Sequence, residues 1–443
     1  MLFSSLVFLF TFLPITLLVY YLVPRKVKNV VLLIASLIFY AWGEPVYIFL
    51  MLISILFNYF CGMDIALKAG RKSQVRSLIF TIVVNLFILG FFKYYGFIVT
   101  NLNAILPFYI PYRKLELPIG ISFYTFQTLS YIIDVYRGNV DVQVNLIDFG
   151  TYVTMFPQLI AGPIVQYADV ERQLRERKES LTKFGYGAWF FVMGLAKKVL
   201  LANTIGSIYE NIAAMDGMSV VTAWLGCLAY TFQIYFDFSG YCDMATGLGY
   251  MFNIHIPMNF NSPYKALSVV DFWKRWHLTL TRFLRTYVYF PLGGSRRGTV
   301  RTYINIIIVF LVSGLWHGAN WTFIFWGFLH GIGNALTRMF RKQWESMHVV
   351  LQWAFTFLFV NITWIFFRAD SISQAFTFIK RILKFQNLNL HAAFLQTFQL
   401  KEFFLIYSHI PVLNKIMASI RGSDALILLG GMLFLCLNFK NNQ

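Results

Sequence analysis

Long apolar runs are the feature that most restricts how this chain can fold. Residues 3–23 contain no charged side chain, and neither do residues 303–315. A helix of about 20 apolar residues is long enough to cross the ~30 Å hydrocarbon core of a bilayer. The composition agrees with a membrane location, since 58% of the residues are hydrophobic and only 13% are charged. We therefore predict an all-α polytopic membrane protein with a single integral-membrane domain over residues 1–443.

The charge balance indicates how the chain is oriented. Basic residues outnumber acidic ones 37 to 19, which gives a formal net charge of +18. In a membrane protein such an excess is typical of cytoplasmic loops beside anionic lipid, so we expect membrane lipids rather than nucleic acid as partners. Residues 25–28, 68–76 and 172–183 are then cytoplasmic. Residues 3–23 are interpreted as an uncleaved helix, because no basic segment precedes them and no small-residue cleavage pattern follows.

Proline and glycine interrupt the apolar runs at several points: Pro45, Pro118, Gly120, Pro157 and Pro163. Irregular backbone at membrane depth is tolerated only where protein or water buries it. We therefore expect about a dozen helices of unequal length, several too short to span, around a thin core. For residues 117–131 two alternatives stay open: a re-entrant segment lining a cavity, or a loop followed by an ordinary helix. Residues 168–183 are predicted to form a charged cytoplasmic loop.

Residues 271–289 combine basic and aromatic side chains. Drawn as one helix, they place four basic residues on one side: Lys274, Arg275, Arg282 and Arg285. Trp273, Trp276 and His277 fall on the opposite side, which predicts a basic amphipathic helix in the headgroup plane. The basic residues are candidates for binding an anionic acyl donor, and acidic lipid headgroups are the alternative ligand.

A second histidine, His317, lies in an uncharged part of the chain directly after Trp316. An ionisable residue there is expensive to bury, which favours a functional role. Asn320, one turn away, is a candidate to hydrogen-bond the imidazole ring or a tetrahedral oxyanion. Gly318 leaves room either for a substrate or for close helix packing. In an unbroken helix His330 would point to nearly the opposite face, so we prefer His317 as the reactive histidine.

These motifs resemble a known family. The run Asp271-Phe272-Trp273-Lys274-Arg275-Trp276-His277-Leu278-Thr279, followed by Trp316-His317-Gly318, is similar to the membrane-bound O-acyltransferase (MBOAT) family, in its bacterial branch of alginate O-acetyltransferases and D-alanyl transfer proteins. The core motifs occupy residues 118–331. Residues 386–423 match weakly, so nothing is inferred for them.

The resemblance implies a fold, a reaction and a site. The fold would be a ring of transmembrane helices with short and re-entrant helices, in the inner (plasma) membrane. His317 would be the catalytic residue and His277 its companion, with Trp273, Trp276 and Trp316 lining a substrate channel. An acyl group, most simply acetyl, would pass from a cytoplasmic thioester (acetyl-CoA or an acylated carrier protein) to a hydroxyl of an extracytoplasmic polysaccharide or of a partner acyltransferase. No bound cofactor or metal is implied.

Other residues, and motifs that the sequence lacks, bear on this interpretation. Asp237 lies in an aromatic setting and would orient a histidine or pair with a nearby Lys or Arg. The four cysteines lack metal-ligand spacing, and there is no P-loop, His-Glu-x-x-His motif or Gly-x-Ser-x-Gly elbow. The chemistry must then rest on histidines and on backbone or amide dipoles. The alternative function is a transporter or channel with a histidine proton relay, which predicts internal repeats that the sequence does not show.

Overall fold

The computed structural model describes residues 1–113, 115–215, 219–383, 409–412, 415 and 423–438. Within these residues the regular structure is entirely helical, with no strand. Lipid offers the backbone no hydrogen-bond partners, and a helix satisfies them internally. The prediction of an all-α membrane protein is confirmed. In this part of the chain, five helices are long and apolar enough to cross a membrane: Ile48–Leu67, Arg71–Asn103, Leu181–Ala213, Thr299–His317 and Val349–Arg368.

The chain divides into two compact units. The first comprises Met1–Leu195 with Tyr241–Asn259, and the second comprises Ala196–Gly240 with Phe260–Gln443. In chain order the helices are α1 Leu13–Leu22, α2 Lys28–Ala41, α3 Ile48–Leu67, α4 Arg71–Asn103, α5 Ile121–Arg137, α6 Leu146–Thr154, α7 Phe156–Leu159, α8 Tyr167–Glu176, α9 Leu181–Ala196, α10 Asn203–Ala213, α11 Val220–Met251, α12 Val269–Trp273, α13 Leu278–Leu284, α14 Thr299–His317, α15 Trp321–Met339, α16 Arg341–Glu345, α17 Val349–Arg368, α18 Ile372–Leu383 and α19 Ser423–Asn438.

The breaks expected at proline and glycine separate helices in the first unit. A π-helical segment, Phe8–Phe12, leads into α1, and the first apolar run is helical from residue 6 rather than from residue 3. Helices α2 and α3 are separated around Pro45, as expected. The lengths of the described helices range from 4 residues in α7 to 33 in α4.

The structure decides between the two interpretations of residues 117–131. Gly120 has a φ of +77° and ends a loop, after which α5 runs for 17 residues as an ordinary helix. A Cβ atom on Gly120 would lie 2.7 Å from the carbonyl oxygen of Leu159. Glycine is therefore required at position 120 for two reasons: its positive φ, and the close approach of the Leu159 backbone. The loop-plus-helix alternative is the one the structure shows.

The charged run 168–183 is not a loop throughout, and this prediction was wrong. Most of it belongs to α8, which begins with a capping box at Gln166. Arg172 and Glu176 face each other one turn apart, with 2.9 Å between Nε and Oε2. Opposite charges spaced four residues apart support an exposed helix. The number of charged residues in the run 168–183 does not by itself reveal that opposite charges are spaced four residues apart.

In the second unit, α14 and α15 form a tightly packed helical hairpin. A Cβ atom on Gly314 would overlap the carbonyl oxygen of Phe323, and one on Gly327 would overlap that of Phe310. Small residues at such positions let two backbones approach closely within a membrane. The hairpin therefore holds its connecting turn, residues 318–320, in a fixed place.

Candidate active site

The segment 271–289 is not one helix, and the prediction that it is one was wrong. It consists of α12, a turn, α13 and a π-helical segment, Arg285–Tyr289. The break falls at His277, whose φ of +47° lies in the left-handed region. Such a conformation is uncommon for a residue other than glycine, although histidine is among the more tolerant residues, and backbone outliers of this kind cluster at functional sites.

The turn buries His277 almost completely, with 1% of its surface exposed. Its imidazole packs edge-on against the ring of Phe238, with 4.8 Å between ring centroids. The indole of Trp316 lies 6.1 Å away on the same measure. The left-handed backbone thus places this side chain against residues of α11 and α14 rather than along a helix surface.

His317 is the last residue of α14 and is half-buried. Its imidazole is surrounded by the rings of Trp316, Trp326 and Phe367, at centroid distances of 4.9, 5.2 and 5.1 Å. The space left open at Gly318 is filled by the ring of Phe323, because a Cβ atom there would overlap it. Of the two roles expected for this glycine, the structure shows close packing.

Trp316 joins the two histidines predicted to act together. Its indole contacts the imidazole of His317 on one side and that of His277 on another. The structure thus brings both imidazoles onto one tryptophan within the second unit. Only His317 of the two is partly exposed.

His330 also belongs to this cluster, contrary to the expectation from an unbroken helix. The chain reverses at residues 318–320, and the indole of Trp326 then lies between the rings of His317 and His330, at 5.2 and 4.9 Å. His330 is fully buried. The helical projection placed it on the far side because it treated α14 and α15 as continuous.

The hydrogen bonds of His330 define its protonation. Trp273 donates from Nε1 to His330 Nδ1 at 3.1 Å, and an indole can only donate. Thr363 Oγ1 lies 3.0 Å from Nε2 and donates its own proton to the carbonyl of Val360. Nδ1 therefore carries no proton, and Nε2 donates to Thr363. With both nitrogens engaged, His330 is a structural residue of the cluster.

Trp273 and Trp276, the two other tryptophans predicted to line a substrate channel, lie around the same cluster. Trp273 is buried and positions His330, as above. Trp276 packs against the rings of Phe260 and Trp364, each at 5.0 Å. Sequence reasoning missed Trp364 and Phe367, which follow the other aromatic residues by about forty positions. Their spacing along α17 is an ordinary apolar pattern that gave no signal.

Asn320 acts as a helix cap. Its Oδ1 accepts from the backbone N–H of Thr322 at 3.1 Å, at the start of α15. Its Nδ2 donates to the carbonyl of Asp370 at 3.0 Å, which ties the turn to the segment after α17. These bonds fix the backbone that follows His317.

Asp237 pairs with a lysine, which was one of the two alternatives. Its carboxylate forms a short ion pair with Lys198, the second residue of a π-helical segment, Lys197–Ala202. Both side chains are partly exposed, at 46% and 30%. Asp237 is adjacent in sequence to Phe238, which packs on His277.

The four basic candidates do not share one face, because the helix assumed for them is broken. Arg275 pairs with Asp271 at 3.0 Å and also donates to the carbonyl of Asn261. Arg282 is partly buried, whereas Lys274 and Arg285 are exposed. In the described part of the chain no three His, Cys, Asp or Glu side chains are grouped so that they could hold a metal ion.

Comparison with known proteins identifies the family. The profile of the membrane-bound O-acyltransferase family matches residues 34–372, which include every residue of the histidine cluster. The chain belongs to the membrane-bound O-acyltransferase family. The chain is 43% identical over 423 residues to the probable alginate O-acetylase of Azotobacter vinelandii, covering 93% of this chain and 84% of that protein.

Two further proteins are similar to this chain at lower identity. The peptidoglycan O-acetyltransferase of Helicobacter pylori is 39% identical over 427 residues, covering 88% of this chain and 81% of that protein. The teichoic acid D-alanyltransferase of Bacillus subtilis is 26% identical over 244 residues, covering 52% and 61%. This protein is therefore a multi-pass membrane acyltransferase of the O-acetyltransferase type, which is the reaction class expected from its motifs.

Proposed function

We propose that this O-acetyltransferase moves an acetyl group from a cytoplasmic thioester to a hydroxyl presented on the opposite side of the inner membrane, with His317 as general base. The acceptor hydroxyl belongs to an extracytoplasmic polysaccharide or to a relay partner protein. Relatives named for alginate and for peptidoglycan support a polysaccharide as the final product. The donor is acetyl-CoA or an acylated carrier, and it enters as a substrate.

The observation that carries this proposal is the position of His317 and the side chains around it. It is half-buried, it ends a membrane-spanning helix, and aromatic rings surround it. A neutral imidazole in such surroundings can accept the proton of a hydroxyl while the hydroxyl oxygen attacks the thioester carbonyl. The C–S bond then breaks, the ester forms, and the proton passes from His317 to the departing thiolate sulfur. Exclusion of water by the rings limits hydrolysis of the donor.

The orientation of the α14–α15 hairpin fits transfer across the membrane. Six basic residues flank the end of the hairpin opposite His317: Arg296, Arg297, Arg301, Arg338, Arg341 and Lys342. The turn at residues 318–320 carries no charge. By the positive-inside rule the basic end is cytoplasmic, so His317 lies toward the extracytoplasmic side. Exposed Lys274 and Arg285 are available to an anionic donor, and anionic lipid is the competing ligand.

The test is acetyl transfer in proteoliposomes supplied with acetyl-CoA or with an acylated carrier. We expect His317→Ala to lose at least ~10²–10⁴-fold in rate, the usual contribution of a general base. His277→Ala should also lose activity strongly. His255→Ala is the matched control, since His255 is exposed and lies in the first unit. Wild-type rates from a correctly folded His317→Ala protein would exclude His317 as the base.

A further inference from the structure

Three cations are gathered in the first unit, where the segment that follows α1 meets the end of α8. Lys28 and Arg177 each expose only 6% of their surface, and Arg25 is partly buried. These three residues are called the basic cluster below. Burying a charged side chain is costly unless opposite charges and hydrogen-bond acceptors compensate it. The compensating groups around the basic cluster therefore indicate whether it is complete without a ligand.

The negative charges near the basic cluster are already engaged. Glu179 and Asp148 are the two carboxylates whose charges act on Arg25. Glu179 pairs with Lys28, with 3.1 Å between Oε1 and Nζ. Asp148 accepts a hydrogen bond from the side chain of Asn29, with 2.5 Å between Oδ1 and Nδ2. Three cations against these two carboxylates leave an excess of one positive charge.

The two arginines converge on one acceptor, the carbonyl oxygen of Leu174. Arg25 Nη2 donates to this oxygen at 3.0 Å and Arg177 Nη1 at 3.4 Å. Asn29 Nδ2 donates to the same oxygen at 3.1 Å. A carbonyl oxygen has two lone pairs, so three donors exceed its capacity. Burial, together with the positive charge of Arg177, lowers the pKa of Arg25, as is expected for two like charges held close together.

Each guanidinium group keeps a buried nitrogen that lacks an acceptor. Among the residues that the structure describes, no atom accepts a hydrogen bond from Arg25 Nη1 or from Arg177 Nη2. The group of Arg177 is fixed in place, because its Nε donates to the hydroxyl of buried Tyr20 at 2.8 Å. An unsatisfied buried donor is unfavourable, and more so when it is charged. The basic cluster therefore lacks an anionic acceptor that two arginines could share.

The surroundings of the basic cluster indicate which anion can reach it. The apolar helix Phe8–Leu22 ends three residues before Arg25. Leu18 and Leu22 expose 61% and 75% of their surface, which in a membrane protein places them against lipid tails. A basic residue directly after such a helix lies at headgroup depth, beside the phosphates of phospholipids. Arg25 is the one partly exposed member of the cluster, so a headgroup reaches the cluster from its side.

We propose that the basic cluster binds the phosphodiester of an anionic phospholipid, with Arg25 and Arg177 donating to its oxygens. Guanidinium groups bind phosphate through parallel N–H donors, and the phosphate supplies the acceptors that the two buried nitrogens lack. The negative headgroup balances the excess of one positive charge. A zwitterionic headgroup would bring an ammonium group beside exposed Lys26, which disfavours it. The site belongs to the first unit and does not depend on the proposed function.

The experiment measures lipid binding to the purified full-length protein in detergent by native mass spectrometry. The probes are phosphatidylglycerol and phosphatidylethanolamine with the same acyl chains. We expect a first phosphatidylglycerol to bind with a Kd at least ~10-fold lower than that of phosphatidylethanolamine. No acetyl donor is present, so the result is the same whether or not His317 is the general base.

Two variants and a neighbouring control locate the site. Arg25→Gln and Arg177→Gln each remove one guanidinium group, and each should weaken phosphatidylglycerol binding at least ~10-fold, as expected for loss of a charged hydrogen bond. Arg172→Gln is the control, because Arg172 is exposed on α8 and pairs with Glu176; its Kd should equal that of the wild type. Arg25 is partly exposed, so Arg25→Gln tests the site even if Arg177→Gln fails to fold.

Three outcomes would overturn the proposal. The first is equal affinity of the wild-type protein for the two phospholipids. The second is wild-type affinity for phosphatidylglycerol in an Arg25→Gln protein that elution volume and thermal stability show to be folded. The third is displacement of bound phosphatidylglycerol by inorganic phosphate but not by sodium chloride of equal ionic strength, which would assign the basic cluster to a soluble phosphate compound.

Discussion

Replacing His330 with alanine tests whether the cluster contains one reactive histidine or two. The change removes the acceptor of the buried Trp273 N–H and the partner of Thr363. An unsatisfied buried polar group costs ~1–3 kcal/mol, and truncation of a large buried side chain costs ~2–5 kcal/mol. Because the two terms overlap, we expect a loss of about 4 kcal/mol in the free energy of unfolding.

The measurement is unfolding of the purified protein in mixed micelles, alongside acetyl transfer per folded molecule. His330→Asn is the matched variant, since its Oδ1 can replace Nδ1 as acceptor for Trp273, and it should lose about half as much stability. Both variants should keep activity in the fraction that remains folded. A His330→Ala protein of unchanged stability and no activity would refute the structural role argued here and make His330 a second residue needed for the reaction.

Three further predictions concern the surroundings of the site. Gly327→Ala should destabilise the α14–α15 hairpin by ~2 kcal/mol or more, because its Cβ overlaps a facing carbonyl oxygen. Gly90→Ala, in open space on α4, is the control and should be neutral or stabilising by up to ~1 kcal/mol. Equal thermal stability of the two variants would contradict the packing argument. Asp237→Asn should lower stability by leaving Lys198 without its carboxylate, and adding Lys198→Met should restore much of it, as seen in detergent melting curves. His277→Asn, which tolerates a left-handed backbone, should fold better than His277→Ala yet be equally impaired in acetyl transfer; full activity of the asparagine variant would exclude a chemical role for His277.

Several features of the site were within reach of the sequence. Apolar runs and a shortage of charge define a helical membrane protein, and His277 and His317 stand out as ionisable residues among aromatic ones. The turn before α15 had a usable signal as well, because Asn320 directly before an apolar run is typical of a helix N-cap. An N-cap at Asn320 starts a new helix, so His317 and His330 could not have been treated as residues of one continuous helix, and His330 would not have been misplaced.

Other features depend on tertiary contacts and have no local signal. A left-handed conformation is uncommon for any residue other than glycine, so nothing at His277 signalled a break and the segment 271–289 was predicted as continuous. Which partner Asp237 takes is decided by packing between α11 and the segment before α10. The basic cluster likewise forms from segments 149 positions apart, as the bond between Arg25 and Leu174 shows, and spacing cannot bring these together.

The hairpin turn beyond His317 also has a consequence for how the protein enters the membrane. If that end faces outward, residues 318–320 must be carried through the bilayer while α14 and α15 insert as a pair. Each Lys, Arg or Asp at the centre of an inserting helix costs ~2.5–3.5 kcal/mol on translocation scales, and the turn Gly318-Ala319-Asn320 carries none of them. His317, which needs to reach the acceptor, therefore adjoins a segment whose translocation across the bilayer costs little free energy. A charge placed at Ala319 would act first on biogenesis, before any substrate is met.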